Sequence, residues 1–259
     1  MQPSDPSPNH RQIEILDALR RAGGSARIQN LAHLLEVSDE TIRRNIRRLE
    51  EEGLVKRQHG GARLAEPADE ADLETRLQES SASKRRIAQH VAAMIPNGCS
   101  LFLDVGSTTN FIAGALQSHS KLTVMTNSVA VAYKLATRNG NRVFFAGGEL
   151  RANDGGAFGP EALGFLDFFS ADLAVVSASG ICPERGFLIS DLAEARLTRM
   201  MIARAARCIV AADARKFHRV APISLGDPRA VGLLVCDEEP PEEIILAARR
   251  WGTAIEVAP

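Results

Sequence analysis

From Ala82 to its end, this 259-residue sequence alternates short apolar runs with amphipathic helical patterns, and this alternation limits the possible folds more than any other feature. Seven runs have the length and composition of buried strands: Ser100–Asp104, Leu122–Thr126, Val143–Ala146, Leu173–Ser177, Cys208–Ala212, Gly232–Cys236 and Ala254–Val257. The helical patterns between them are Ile87/Val91/Ile95, Phe111–Leu116, Val129–Leu135, Ala193–Ala206 and Glu242–Trp251. Continuous apolar strands separated by helices predict a mostly parallel α/β sheet that is covered on both faces.

A different pattern, first helical and then hairpin-like, occupies residues 10–64. Apolar residues recur at helical spacing in three successive segments: Ile13, Leu16 and Leu19; Leu31, Leu34 and Leu35; Ile42, Ile46 and Leu49. Gly23 and Gly24 end the first helix, and Ser38 is suited to cap the third helix after a tight turn. Beyond Gly53, two short segments around a Gly-Gly turn predict a hairpin. The pattern therefore predicts a helix-turn-helix followed by a β-wing.

The third of these helices carries four arginines outside the arc of its apolar residues. The whole chain has a net charge of −1, but between His10 and Arg63 the basic residues outnumber the acidic ones by three. The planar fork of arginine matches phosphate oxygens and the O6/N7 edge of guanine. The arrangement predicts a recognition helix in the major groove of DNA, with the hairpin as a wing near phosphates. The candidate DNA-binding residues are Ser38, Thr41, Arg43, Arg44, Arg47, Arg48, Lys56, Arg57 and His59.

Two other interpretations of this segment stay open from the residues alone. The arginines could belong to a solvated helix in which they pair with Glu40, Glu50 and Glu51. The segment could also be a protein-interaction module, whose binding to DNA would not show the salt dependence that phosphate contacts produce.

The run from Ile28 to Ala62 resembles the N-terminal region of the DeoR family of bacterial transcription regulators. The matching elements are Val37-Ser38, Thr41-Ile-Arg-Arg44, Leu49-Glu50 with Gly53, and Arg57 with His59-Gly-Gly-Ala62. Asn45 replaces an aspartate of the family motif, so the orientation of Arg44 or Arg48 is the feature most open to change. The resemblance implies a winged helix-turn-helix in a sequence-specific DNA-binding regulator, which we expect to repress a carbohydrate-metabolism operon.

Small polar residues and glycines follow five of the predicted strands at their carboxyl ends, where parallel sheets bind ligands. Glycine allows close approach of the backbone, hydroxyls donate hydrogen bonds, and a helix N-terminus attracts phosphate. Each loop alone would be an ordinary turn with a helix cap, whereas five in succession predict a binding site. The sequence has no GxGxxG after the first strand and no GxxxxGK[ST], which disfavours a dinucleotide and a P-loop nucleotide. The candidate effector-binding residues are Asp104, Gly106, Ser107, Thr108, Thr109, Thr126, Asn127, Ser128, Gly147, Gly148, Ser179, Gly180, Asp191, Glu194 and Lys216.

The same loops resemble motifs of the DeoR-family sensor domain, so the resemblance extends over about residues 10–257. The matching segments are Arg76 with Lys84, Ile87 and Ala88, then Leu103–Thr109, Thr123–Ser128, Gly147–Arg151 and Asp213–Phe217. The resemblance implies a sensor similar in fold to ribose-5-phosphate isomerase and acetyl-CoA transferases, with a phosphorylated sugar as effector. Val105 and Arg215 replace two serines of the family motifs, and Arg215 could contact phosphate or point into solvent.

The sequence divides into four segments. Residues 1–9, with three prolines, predict a disordered tail, and residues 10–64 form the predicted DNA-binding domain. Residues 65–82 are polar and acidic and predict a linker that could be partly helical, and residues 83–259 form the predicted effector-sensing α/β domain. Because one helix-turn-helix covers few bases, we expect a homo-oligomer that reads repeated or inverted half-sites.

Composition excludes several classes of protein. An apolar fraction of 45% with almost no net charge excludes intrinsic disorder, and no apolar run is long enough to cross a membrane. The first residues lack a secretory signal, and the four cysteines, Cys99, Cys182, Cys208 and Cys236, lack zinc-ligand spacing. We therefore expect a cytoplasmic protein without a metal or a cofactor.

An alternative function is that of an aldose–ketose isomerase with an appended DNA-binding head. That chemistry needs a carboxylate base beside the bound phosphosugar, and Asp191, Glu194 or Asp213 could supply it. The attached helix-turn-helix favours regulation over catalysis, and we assign no catalytic residue.

Overall fold

The computed structural model describes residues 10–22, 25–51, 54–58, 60–64, 72–217 and 219–259. The predicted tail, residues 1–9, and most of the predicted linker, residues 65–71, lie outside the described residues. The chain divides into two compact units, residues 1–69 and residues 70–259. Within the part of the chain that the structure describes, no helix has the length and apolarity that a membrane span requires.

The first unit consists of three helices and a small antiparallel sheet. In chain order, its elements are α1 (His10–Arg21), β1 (Ser25–Arg27), α2 (Ile28–Leu34), α3 (Asp39–Glu51), β2 (Val55–Gln58) and β3 (Gly61–Leu64). The strand order is β1-β3-β2, so the predicted hairpin of β2 and β3 is present and a strand between α1 and α2 extends it. This is the winged helix-turn-helix that the sequence predicts.

The core of the first unit forms where the buried faces of the three helices meet. Two of the predicted stripe residues, Ile13 and Leu34, are exposed instead. Ile15, Leu19, Ile42, Ile46 and Leu49 are completely buried and pack in one cluster with Leu31 and Val55. Gly61 lets the wing pack against β1, since a Cβ there would lie 2.4 Å from the carbonyl oxygen of Ala26. The hydrophobic stripe of α3 thus fixes which face of that helix remains outside.

The second unit is a three-layer α/β structure. Its strands, in chain order, are β4 (Ser100–Leu103), β5 (Thr123–Thr126), β6 (Arg142–Phe145), β7 (Ala171–Val176), β8 (Gly180–Cys182), β9 (Gly186–Ile189), β10 (Ala205–Ala211), β11 (Ile223–Ser224), β12 (Leu233–Cys236) and β13 (Ala254–Val257). Its helices are α4 (Leu73–Gln78), α5 (Ser81–Ala93), α6 (Ser107–Ala115), α7 (Val129–Leu135), α8 (Pro160–Leu166), α9 (Leu192–Ala203) and α10 (Glu242–Trp251). Buried apolar clusters lie on both faces of the main sheet, as strands buried on two sides require.

The main sheet has seven strands in the order β13-β12-β10-β7-β4-β5-β6, and every neighbouring pair is parallel. From β4 the chain proceeds outward to β5 and β6 and then returns to β7 on the other side of β4. The order of strands therefore reverses at β4, between β5 on one side and β7 on the other. A crevice at such a point is where open α/β sheets bind ligands.

All seven strands predicted from apolar runs are strands of this sheet, and the predicted helices at Val129–Leu135 and Glu242–Trp251 have those bounds. A second, antiparallel sheet of order β11-β9-β8 was not predicted, and neither was α8. Part of the interval assigned to the linker is helical, because α4 lies within it and packs on the second unit.

Candidate DNA-binding surface and effector site

The turn between α2 and α3 is arranged as the sequence predicts. The hydroxyl of Ser38 accepts a hydrogen bond from the backbone N–H of Thr41 over 3.2 Å, and the two hydroxyl oxygens are 2.9 Å apart. Glu36 provides the reversal with a φ of +53°. Ser38 is therefore the N-cap of α3, with Asp39 and Glu40 in its first turn.

The four arginines of α3 lie on its exposed face, opposite the buried stripe of Ile42, Ile46 and Leu49. Among the described residues none of these four guanidinium groups, on Arg43, Arg44, Arg47 and Arg48, has an ion-pair partner. The alternative interpretation, in which these arginines pair with Glu40, Glu50 and Glu51, therefore has no supporting ion pair among the described residues. Four uncompensated cations on one helical face form a surface suited to a polyanion.

Glu50 pairs with the wing instead. Its carboxylate accepts the backbone N–H of Arg57 over 3.0 Å and the guanidinium Nε of Arg57 over 2.5 Å. These hydrogen bonds lower the pKa of Glu50, and the bond from the backbone N–H of Arg57 has the largest effect. Arg57 and Lys56 are exposed on β2, whereas His59 lies outside the described residues. The pair fixes the wing to the last turn of α3.

Asn45, the departure from the family motif, is half-buried and bonded within α3. Its Nδ2 donates to the carbonyl oxygen of Thr41, one turn earlier, over 2.9 Å. Its side chain is thus directed along the helix, and no ion pair between it and Arg44 or Arg48 is possible since the amide is uncharged.

In the second unit, Asp104 follows β4 at the point where the strand order reverses. It is 1% exposed, and its Oδ2 accepts the backbone N–H of Ser177, at the end of β7, over 2.9 Å. Its Oδ1 is buried and has no hydrogen-bond partner among the described residues. Burial raises the pKa of Asp104 well above its usual range, and the negative charge of Glu194 raises it further.

The next residues form a tight junction into α6. A Cβ at Gly106 would lie 2.5 Å from the hydroxyl oxygen of Ser177, so a glycine permits the close approach of the β4 and β7 loops. Ser107, Thr108 and Thr109 are all buried in the first turn of α6, and the hydroxyl of Thr109 donates to the carbonyl oxygens of Asp104 and Gly106 at 3.1 Å each. The N–H groups of a first helical turn lack intrahelical acceptors, which suits an anion.

The end of β5 and the loop after it contribute three further buried residues. Ser128 caps α7 by accepting the N–H of Val131 over 3.3 Å, and Thr126 accepts the N–H of Ser128 over 3.0 Å. Asn127 donates from Nδ2 to the carbonyl oxygen of Ala157, but its Oδ1 is buried without a partner among the described residues. Thr126 and Ser128 thus stabilise the loop, and Asn127 offers an acceptor.

Arg151, from the loop after β6, joins this region to the start of α9. It donates from Nη2 to Oε2 of Glu194 over 2.8 Å, and its Nη1 is 3.3 Å from Oδ1 of Asp191. Its Nε is 3.1 Å from both carboxylate oxygens of Asp154, and the guanidinium lies 4.1 Å above the ring of Phe158. Although burial opposes it, these hydrogen bonds raise the pKa of Arg151.

Glu194 and Asp191 are themselves ordered by α9. Asp191 is its N-cap and accepts the N–H of Glu194 over 2.8 Å. One helical turn beyond Glu194, Thr198 is buried, and its hydroxyl has no hydrogen-bond partner among the described residues. Thr198 was not among the predicted site residues, because nothing in a helical pattern distinguishes it from a core threonine.

The remaining predicted effector residues are less central. Gly147 and Gly148 are exposed in the loop after β6, and Ser179 and Gly180 are buried where the second sheet begins. Gly180 lies against the backbone of Arg219, since a Cβ at position 180 would lie 2.0 Å from the carbonyl oxygen of that residue. Lys216 is half-buried after β10, one strand beyond β7.

Arg215 is exposed and pairs with two carboxylates, and its contact with phosphate stays a prediction. Its Nε is 3.1 Å from Oδ1 of the buried Asp213, and its Nη1 is 3.1 Å from Oε2 of Glu79. The neighbouring Lys84 is 1% exposed and donates to the carbonyl oxygens of Arg76 and Glu79. Burial lowers the pKa of Lys84 to about 8 despite the charge of Asp213.

The described residues contain no cluster of three or more His, Cys, Asp or Glu side chains that could hold a metal ion. All four cysteines are free thiols, and Cys99, Cys208 and Cys236 are buried, as the apolar runs around them predict. The candidate site therefore offers hydroxyls, amides, carboxylates, the guanidinium of Arg151 and the ammonium of Lys216.

Comparison with known proteins connects both surfaces to one family. A model described as the DeoR-like helix-turn-helix domain matches residues 11–68, and one described as the DeoR C terminal sensor domain matches residues 79–238. The chain belongs to the DeoR family. It is a DNA-binding transcriptional repressor with a sensor domain, and this decides against the isomerase alternative.

Relatives of this DeoR-family repressor match over most of their length. The HTH-type transcriptional repressor CsqR of Escherichia coli K12 is 36% identical over 251 residues, which cover 97% of this chain and 94% of that protein. The glycerol-3-phosphate regulon repressor of the same organism is 35% identical, over 86% and 88% of the two chains.

Among solved structures, the full-length sorbitol operon regulator SorC from Klebsiella pneumoniae matches with a TM-score of 0.42 and 12% identity, over 91% and 97% of the two chains. Ribose 5-phosphate isomerase A from Neisseria gonorrhoeae matches with a TM-score of 0.39 and 15% identity, over 54% of each chain.

Proposed function

We propose that this DeoR-family repressor binds an operator of a carbohydrate-metabolism operon through α3 and the wing, and that a phosphorylated sugar at the carboxyl edge of the main sheet changes its affinity for that operator. The DNA contacts would come from the predicted residues Ser38, Thr41, Arg43, Arg44, Arg47, Arg48, Lys56, Arg57 and His59. The effector contacts would come from the predicted residues between Asp104 and Lys216.

The observation that carries the effector proposal is the buried polar edge at the strand reversal. Asp104, Asn127 and Thr198 each bury one oxygen that has no hydrogen-bond partner among the described residues. Leaving a buried polar atom unpaired costs about 1–3 kcal/mol, and a ligand with several hydroxyls would remove that cost. The first turn of α6, with Ser107, Thr108 and buried N–H groups, is suited to the phosphate.

The name of one relative supports this class of ligand, since that protein is a glycerol-3-phosphate regulon repressor. We therefore expect the effector to carry a phosphate and several hydroxyl groups. It must also bind two conformations of the protein with different affinities, because a ligand with equal affinity for both does not shift the equilibrium between them.

The first test is thermal stabilisation of the full chain by ribose 5-phosphate, glucose 6-phosphate, fructose 6-phosphate and glycerol 3-phosphate, each compared with its unphosphorylated parent. A ligand that binds the native state and not the unfolded state raises the Tm by an amount that grows with the logarithm of its concentration above Kd. Ser107→Asp places a negative charge in the phosphate position and should abolish the shift. Ser118→Asp, on an exposed residue of the same unit, is the matched control. Equal shifts by the parents, or a shift that survives Ser107→Asp, would contradict the phosphate site.

The second test is binding of the purified chain to its own promoter region by fluorescence anisotropy at several salt concentrations. Phosphate contacts require that affinity falls steeply as salt rises, while a protein-interaction module would show no such slope. We also propose that the repressor is a homo-oligomer in the cytoplasm, which light scattering and cell fractionation would test. A monomer that binds one half-site with full affinity would contradict the oligomer.

A further inference from the structure

The first helix of the second unit in chain order, α4, is held at its beginning by the loop that follows β6. The backbone N–H of Leu73 donates to the carbonyl oxygen of Asn153 over 2.7 Å. The guanidinium of Arg76 lies 3.9 Å from Oδ2 of Asp154, and both side chains are largely buried. Because residues 65–71 connect this helix to the DNA-binding unit, a change transmitted along the chain passes through α4.

The loop that holds α4 is a compact turn with little freedom of its own. The N–H of Gly155 donates to the carbonyl oxygen of Arg151, and the N–H of Arg151 donates to that of Gly156, both over 2.9 Å. Oδ1 of Asp154 accepts the N–H of Gly156 over 3.0 Å. The turn of residues 151–156 should therefore move as a unit when its ion pairs change.

Asp154 lies between two guanidinium groups. On one side it binds Arg76 of α4, and on the other it binds Arg151, which also holds Asp191 and Glu194 at the start of α9. Asp191 and Glu194 belong to the predicted effector-binding residues. A continuous chain of charged contacts thus leads from the effector site to α4.

The other end of α4 is fixed independently. Lys84 of α5 donates to the carbonyl oxygens of Arg76 and Glu79, and Glu79 pairs with Arg215. These contacts involve none of the residues of the 151–156 turn. The beginning of α4 can therefore loosen while its end stays attached to α5, which is a discrete local change rather than detachment of the helix.

We infer that the turn of residues 151–156 is the element that couples effector binding to the DNA-binding unit. When the effector occupies Asp191 and Glu194, these carboxylates leave Arg151. Asp154 then rearranges, and the first turn of α4 is released. The identity of the ligand rests on the proposed function, whereas the mechanical coupling rests on these contacts alone. Two sites are coupled only when both bias one element with two arrangements, and this turn with α4 is that element.

The coupling can be tested without any ligand by hydrogen–deuterium exchange of the full chain. Glu194→Gln removes one of the three charges that hold Arg151, and we expect amides of residues 72–80 to exchange at least threefold faster while those of residues 85–93 stay unchanged. Asp167→Asn is the matched control, because it breaks an exposed pair with Arg204 in the same unit. If Glu194→Gln impairs folding, Arg151→Gln breaks the same contacts from the other side.

Faster exchange in residues 151–156 without a change in residues 72–80 would overturn the inference. A second experiment uses Arg76→Gln, with Arg138→Gln on an exposed loop as its control. The sugar phosphate that gives the largest thermal shift is the probe, and operator affinity is measured with and without it. Arg76→Gln should keep the affinity for the probe within threefold while the ratio of the two operator affinities falls to less than twofold.

The two possible failures are distinguishable. If the wild-type chain responds to none of the four sugar phosphates, the proposed function fails, and the exchange experiment still decides the coupling. If the wild type responds and Arg76→Gln responds equally, the effector proposal stands and the coupling through α4 is wrong.

Discussion

The backbone N–H of Ser177 donates to Oδ2 of Asp104 over 2.9 Å, which joins the ends of the adjacent strands β4 and β7. The second carboxylate oxygen has no partner among the described residues, and burial raises the pKa of Asp104 well above its usual range. A buried carboxylate at position 104 therefore costs more free energy than an uncharged amide of the same shape would. Such an arrangement is typical of a residue retained for binding.

Asp104→Asn should stabilise the ligand-free chain and abolish the response to the sugar phosphate. The folded state of the wild type binds a proton more tightly than the unfolded state, so its stability falls as pH rises through the interval between the two pKa values. The advantage of the variant should accordingly grow from pH 5 to pH 8, by on the order of 1–3 kcal/mol. Urea denaturation of both proteins at the two pH values is the measurement. An advantage that shrinks with pH would contradict the raised pKa.

Lys84→Met should destabilise the second unit, because the ammonium group of Lys84 donates to two carbonyl oxygens at the end of α4. Removing these two hydrogen bonds from a charged donor should lower the free energy of unfolding by about 1.5–3 kcal/mol. Since burial lowers the pKa of Lys84 to about 8, the unfolded state binds more protons between about pH 8 and pH 10. The wild type should therefore gain stability relative to Lys84→Met as pH rises through that window, as measured by denaturation at pH 7.5 and 9.5. A constant difference would show that Lys84 titrates normally.

The fold could be predicted from sequence wherever one element buries an apolar surface of its own. The seven strands of the main sheet and the stripe of Ile42, Ile46 and Leu49 on α3 are of this kind, and the structure contains all of them. The helix α4 has no buried residue and was assigned to a linker, because it is held by backbone and charged contacts rather than by an apolar face. The strands β8 and β11 have three and two residues, too few to show a period.

The candidate site divides in the same way. Asp104 and Asn127 follow strands directly and Ser107 begins the helix after β4, so their position at the carboxyl edge could be inferred from topology. The role of Arg151 could not, because its partners are Asp154, three residues on, and Glu194, far along the chain. The pairing of Arg215 with Glu79 could not be predicted either, because Glu79 follows α4, whose bounds the polar sequence of the linker does not define.

Arg43→Ala and Arg47→Ala should weaken operator binding, because these exposed side chains lie one turn apart on the same face of α3. Replacing a residue that reads a base pair should cost about 1–3 kcal/mol of binding free energy and relax specificity at that base pair. Replacing a residue that contacts phosphate should lower the slope of log affinity against log salt concentration by about one. Anisotropy titrations with the operator and with single-base variants distinguish the two cases. Arg138→Ala, on an exposed loop of the second unit, is the control for net charge. Unchanged binding by both α3 variants would defeat the assignment of α3 as the recognition helix.

Glu50→Gln should release Arg57 for contact with DNA, because the carboxylate of Glu50 now holds both the backbone and the guanidinium of that residue. The released cation adds one possible phosphate contact, so affinity for non-specific DNA should rise severalfold at low salt and the salt slope should steepen by about one. Glu51→Gln removes the same charge from the exposed neighbouring position and is the matched control. Equal gains by both variants would mean that net charge alone is responsible. Weaker operator binding by Glu50→Gln would mean that the pair positions Arg57 for a specific contact.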